Sequence, residues 1–200
     1  MTWVKICGLR SRDAVDAAVE SGADAIGFVF AAGSPRFIEP AEAAELVASI
    51  PSTVETVAVV RDQPIESVIG WARMAGVTTV QLHGSEPGSD AQRLRDAGFA
   101  VIRAISIDDY RQRASELAGD RLLIDAIEPG AGLRFDDSLL LDAPPTAPWI
   151  LAGGLDPDTV AEAIVALKPT GVDVSSGVES SRGVKSPDLI RAFVLAAKSA

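Results

Sequence analysis

The sequence predicts one α/β domain over residues 1–200, a (β/α)8 or TIM barrel, and three observations carry that expectation. Eight short apolar, β-branched runs recur: WVKICG (3–8), AIGFVF (25–30), ETVAVV (55–60), TTVQLHG (78–84), FAVIRAI (99–105), RLLIDA (121–126), WILAGG (149–154) and GVDVSSG (171–177). Their starts lie roughly 20 to 30 residues apart, the length of one strand, one helix and two short loops. Helix-period segments fill the gaps, and several run-ins are alike: ESGADAIGF, RMAGVTTVQ, RDAGFAVIR and LKPTGVDVS each end a helix on glycine before a buried strand. The first run is followed by CGLRSRD rather than a GxGxxG fingerprint, which argues against an open dinucleotide-binding sheet. Eight alternating units closing on themselves are the simpler solution.

Each helix has its own signals. SRDAVDAAVESG offers Ser11 as N-cap and Gly22 as C′ stop. EPAEAAELVASI places Pro40 near N1 and Glu42 in the first turn. QPIESVIGWARMAG, SEPGSDAQRLRDAG, DPDTVAEAIVALKP and SPDLIRAFVLAAKSA supply the others. The sixth unit is the weakest, with EPGAGLRFDDSLLLDAPPTAP reading as a glycine loop, a short helix at best and a proline-rich return. No low-complexity stretch or interdomain linker interrupts the series.

Composition narrows the function classes. A hydrophobic content of 48% over 200 residues can bury one substantial core. One cysteine excludes an internal disulfide and fits a reducing compartment. MTWVKICG lacks the basic and apolar regions of a signal peptide, and no apolar run approaches the roughly 20 residues of a membrane span. A cytoplasmic protein is expected. The net charge of −10, with no basic cluster, argues against nucleic-acid and anionic-membrane partners. A small anionic substrate remains compatible, because backbone amides bind phosphate whatever the net charge. One histidine and one cysteine, without HxxH or CxxC spacing, give no basis for a metal site.

Barrel chemistry sits at strand C-terminal ends, and those ends are unusually small and polar here. Cys7-Gly8 closes the first strand. The second ends at Phe30 before AAGSPRF, the fourth at His83, the sixth at Asp125, the seventh at Gly153-Gly154 and the eighth at Ser175-Ser176-Gly177. Cys7 fits either a packing residue or a thiolate at a site mouth. Asp125, behind three apolar residues, fits either a loop-capping carboxylate or a desolvated one with a raised pKa, able to hold a proton near neutrality. Together they form a candidate acid–base pair. The glycine and serine loops after strands seven and eight occupy the usual phosphate positions of the fold. Arg36 fits a bidentate carboxylate grip or a solvated surface. His83 fits a loop-bonded structural residue or a site residue. Lys5 shares the face of Cys7 by the period of two, as a Schiff-base lysine or the partner of a carboxylate.

These residues together resemble the phosphoribosylanthranilate isomerase family of tryptophan biosynthesis. The resemblance rests on KICGL, GFVF…SPR, QLHG, LLIDA, ILAGGL and GVDVSSGVESSRGVK in that order, essentially the whole chain. It implies a barrel working without metal or organic cofactor. It also implies the Amadori rearrangement of N-(5-phosphoribosyl)anthranilate to 1-(2-carboxyphenylamino)-1-deoxyribulose 5-phosphate. Carried over, Cys7 is the general base, Asp125 the general acid and Arg36 the holder of the anthranilate carboxylate. His83 and Asp173 join Arg36 as expected substrate contacts, and Gly153, Gly154, Ser175, Ser176 and Gly177 as the phosphate site. Two departures stand out: AIEPGAGLRF after Asp125 replaces a GGTG-like run, and Ser186 stands where an aspartate is usual, at the start of the last helix. The competing readings are the histidine-pathway isomerase of the same chemistry, whose base position resembles an aspartate rather than a cysteine, and a non-catalytic phosphometabolite-binding barrel.

Overall fold

The structure, a computed structural model, describes residues 1–113, 117, 121–125, 145 and 148–200. Eight strands, β1 Trp3–Cys7, β2 Ala25–Val29, β3 Glu55–Val60, β4 Thr79–Leu82, β5 Ala100–Ser106, β6 Arg121–Asp125, β7 Trp149–Ala152 and β8 Gly171–Val174, close in chain order into a barrel. Every pairing is parallel, and β8 returns to β1. All eight expected runs therefore form strands. Helices α1 Arg12–Glu20, α2 Pro40–Val47, α3 Ile65–Ala75, α4 Gly88–Asp96, α5 Ile107–Arg113, α6 Val160–Leu167 and α7 Pro187–Ser199 follow them. The expected glycine loop and proline return of the sixth unit fall almost wholly outside the described residues.

Three local features differ from the sequence expectation. Ser11 holds the N-cap position of α1 in extended geometry, but its side chain makes no capping hydrogen bond. Lys168, at φ +50, ends α6 in the left-handed conformation that glycine takes at the end of α3. The segment after β8 is more than a loop: a 3-10 turn over Ser176–Val178 leads into an antiparallel hairpin of β9 Glu179–Ser181 and β10 Val184–Lys185. Ser186 starts the last helix cleanly, its hydroxyl accepting from the Leu189 amide at 3.4 Å with Pro187 behind it.

Alternation along the strands builds two cores. Val4, Ile6, Ile26, Phe28, Val80 and Val172 point outward into the shell shared with Val15, Ala72, Leu94, Ile190 and Phe193 of the helices. Cys7, Ala25, Val57, Val59, Ile102, Leu123 and Ile150 fill the barrel interior. The N-terminal end of that interior is plugged by polar groups. Arg121 Nη1 donates to Glu55 at 2.8 and 2.9 Å, its guanidinium lies 4.3 Å over Trp3, and Thr79 donates to the same carboxylate at 2.5 Å. That end is spent on packing, and the C-terminal mouth is left for chemistry.

Candidate active site

The mouth is a cavity of about 840 Å3 lined by Cys7, Arg36, His83, Asp125, Gly153, Gly154, Asp173, Ser175 and Ser176, with Arg61 and Arg182 on its walls. Nine of the ten residues that the resemblance assigns to the site thus share one cavity. The tenth, Gly177, is not a wall residue. A Cβ there would run into the Leu155 carbonyl, so its missing side chain lets the loops after β7 and β8 interlock. Gly153 and Gly154, at φ +92 and +62, turn the chain beside the cavity through consecutive left-handed conformations that side chains disfavour.

Cys7 ends β1, is nearly buried, and sits opposite Gly27 of β2. Two residues below, Lys5 is wholly buried and donates from Nζ to Asp173 Oδ1 at 2.8 Å. Barrel closure makes this pair, since Lys5 and Asp173 are cross-strand neighbours of β1 and β8. Burial alone would lower the Lys5 pKa, but the Asp173 carboxylate, with Cys7 adding to it once ionised, outweighs burial and holds the ammonium protonated. At Cys7 burial pushes the pKa up, Lys5 and Lys185 pull it down, and Asp173 opposes them. The thiol form is favoured at rest. Burial thus disfavours the anion at rest, so a thiolate here has to form against that cost.

Arg36 reaches the mouth because Gly8 makes room. A Cβ at Gly8 would come within 2.8 Å of Arg36 Cδ, and Gly8 stands at φ +78. The guanidinium donates Nε to Glu179 Oε1 at 2.6 Å and Nη2 to Oε2 at 3.1 Å. Its Nη1 and the second Nη2 proton remain on the other edge of the fork. Glu179 also accepts from Lys185 Nζ at 2.9 Å and from the Gly183 amide at 3.0 Å. Burial would raise the Glu179 pKa, but these donors overwhelm it and bring it down to about 2. Lys185 in turn donates to the Ser175 carbonyl at 2.7 Å and its hydroxyl at 3.2 Å. The hairpin therefore ties the Arg36 side of the mouth to the glycine–serine loop on the other.

His83 accepts at Nδ1 from Gln81 Nε2 at 3.0 Å, which leaves the neutral ring's proton on Nε2. Burial lowers its pKa, only partly offset by Asp125 and Asp173, so the ring is uncharged near neutrality. Asp125 ends β6 beside Ala152, next to the Gly153-Gly154 turn, three strand positions round the barrel from Cys7. The sequence reading assigned no role to Gly8, Gly27, Glu179 or Lys185. Only Glu179 and Lys185 left a signal, opposite charges six residues apart around Gly183, the pattern of a short hairpin.

A parallel eight-stranded barrel with a thiol, a carboxylate, an arginine fork and glycine loops gathered at its C-terminal mouth is the architecture of a (β/α)8-barrel enzyme. The family model for N-(5'phosphoribosyl)anthranilate (PRA) isomerase matches residues 4–196. The N-(5'-phosphoribosyl)anthranilate isomerase of Rhodospirillum rubrum is 42% identical over 98% of each chain, and that of Chromohalobacter salexigens 43% identical over 96% of this chain and 92% of its own. The Thermotoga maritima phosphoribosyl anthranilate isomerase superposes with a TM-score of 0.93 at 36% identity over the whole of both chains. Another solved isomerase, in complex with reduced 1-(o-carboxyphenylamino)-1-deoxyribulose 5-phosphate, superposes at 0.90 with 34% identity over both whole chains. The chain belongs to the phosphoribosylanthranilate isomerase family, and it is an isomerase of tryptophan biosynthesis.

Proposed function

We propose that the chain converts N-(5'-phosphoribosyl)anthranilate to 1-(2-carboxyphenylamino)-1-deoxyribulose 5-phosphate by acid–base catalysis between Asp125 and Cys7. One observation carries this reading: the two groups line a single cavity together with the Arg36 guanidinium and the glycine–serine loops after β7 and β8. Such a cavity suits a small substrate with a carboxylate at one end and a phosphate at the other. The free Nη1–Nη2 edge of Arg36 takes the carboxylate, while Gly153, Gly154, Ser175 and Ser176 take the phosphate, with Gly177 holding their loops together. Asp173, with one oxygen on Lys5, offers the other to a ribose hydroxyl, and neutral His83 donates from Nε2.

Asp125 delivers its proton to the ribose ring oxygen. The C1′–O bond breaks, and the anilino nitrogen supplies the electron pair that forms the iminium. That cation acidifies the C2′ hydrogen and also favours the Cys7 anion beside it. The thiolate takes the C2′ proton, and the C–H pair forms the C1′=C2′ bond as the iminium π electrons return to nitrogen. The resulting enolamine tautomerises to the ketone. The absence of any helix long and apolar enough to cross a membrane, among the described residues, is compatible with work in the cytoplasm. Incubation of the chain with the anthranilate substrate and separately with the histidine-pathway imidazole substrate tests the reading. Turnover of the first is expected. No turnover of it, or turnover of the second alone, would reject the proposal.

A further inference from the structure

Two buried ammonium groups influence the thiol, and their hydrogen bonds distinguish them. Lys185 has three protons and three acceptors: the Ser175 carbonyl at 2.7 Å, the Ser175 hydroxyl at 3.2 Å and Glu179 at 2.9 Å. It has none left for sulfur. Lys5 gives one proton to Asp173 at 2.8 Å and keeps two, with its Nζ and the Cys7 sulfur facing the same space over Gly27. The meeting place is built by a missing side chain. A Cβ on Gly27 would lie 3.2 Å from Cys7 Sγ and also 3.2 Å from Lys5 Cε and Nζ. An apolar side chain would have filled the interior at position 5 more cheaply than an ammonium with no exposure.

We propose that Lys5 is a positioning residue for the reaction: anchored by Asp173, its ammonium is the counter-ion against which the Cys7 thiol ionises. The inference rests on the reading of Cys7 as base. Lys5 neither gains nor loses a proton. When the thiol ionises its proton leaves to solvent, and when the thiolate abstracts the C2′ hydrogen the S–H bond reforms beside an unchanged ammonium. Asp173 works in both directions, keeping Lys5 charged while its own charge opposes the thiolate. Among the described residues, the other charged or titratable groups around the mouth are Lys185 and Glu179 from the hairpin side, Arg36, Arg61 and Arg182 on the walls, His83 just after β4 and Asp125 at the end of β6.

Cys7 is the only thiol among the 200 residues, so its alkylation by iodoacetamide as a function of pH reads this one group in the full chain. In Lys5→Met the midpoint is expected to rise by about one to three pH units, the effect of removing an adjacent opposite charge. In Asp173→Asn it is expected to fall. The rate constant kcat of Lys5→Met should drop about tenfold or more, while affinity for a reduced, non-reacting product analogue stays within about threefold. A folded Lys5→Met with an unmoved midpoint overturns the proposal. Should Lys5→Met not fold, the double variant Lys5→Met/Asp173→Asn compared with Asp173→Asn removes the ammonium with the carboxylate already gone, and equal midpoints overturn it as well. Failure of the base reading looks different. Cys7→Ser would then keep its turnover, whatever the alkylation midpoints show.

Discussion

Replacing Glu179 by glutamine removes one charge from the joint of Arg36, Lys185 and the Gly183 amide while keeping the side chain's shape. The carboxyl pKa of about 2, against an ordinary 4.5, measures how strongly the folded site prefers the anion. At about 1.4 kcal/mol per unit, that preference is roughly 3 kcal/mol. Glutamine retains one acceptor oxygen, so the expected loss is about 2–3 kcal/mol. For a chain of this size that corresponds to roughly 4–12 °C in Tm. Thermal unfolding at pH 7, followed by circular dichroism, should show the gap. Its pH dependence is the sharper test. A carboxylate whose pKa is depressed in the folded state stabilises fully above its unfolded value, and the contribution disappears as pH falls through the folded value. The difference between parent and Glu179→Gln should therefore be constant above about pH 5 and shrink progressively from 4.5 towards 2. Equal Tm values at pH 7, or a gap unchanged at pH 2.5, would refute the argument that Glu179 is held by charge.

Other expectations follow from the site. Arg36→Ala should raise KM for the anthranilate substrate about tenfold or more, the worth of one charge-assisted contact of ~1.5–3 kcal/mol; an unchanged KM would leave Arg36 serving only Glu179. Cys7→Ser and Asp125→Asn should each lower kcat by ~10²–10⁴-fold, and the double variant should be little worse than the poorer single one; near-normal turnover by Cys7→Ser would end the thiolate mechanism. Gly177→Ala should push the β7 and β8 loops apart and weaken competition by inorganic phosphate more than any substitution at His83, measured as inhibition constants. Because the resting thiol pKa is raised by burial, alkylation of Cys7 should accelerate with pH to beyond 9, and bound product should protect it; a rate independent of pH would contradict an ionising thiol.

Period and punctuation in the sequence are local properties, and what depends on them was legible there. The eight strands, six of the seven described helices and the barrel follow from apolar runs of strand length separated by helix-length segments. Candidate residues followed from the rule that barrel chemistry gathers at strand ends, which is why Cys7, Arg36, His83, Asp125 and the glycine loops could be named before any contact was known. The short helix α5 was missed because IDDYRQR carries too little apolar pattern to announce itself. What the tertiary structure alone decided is the pairing of charges across the closure. Lys5 and Asp173 are 168 residues apart and meet only because β8 returns to β1 in one register. Arg36 and Glu179 are 143 apart and meet because Gly8 has no side chain and the hairpin folds back over the mouth. The resting state of Cys7 belongs to the same group. A thiol's ionisation is set by its desolvation and by the balance of surrounding ammonium and carboxylate charges, and those neighbours come from strands and loops that only the closed barrel brings together.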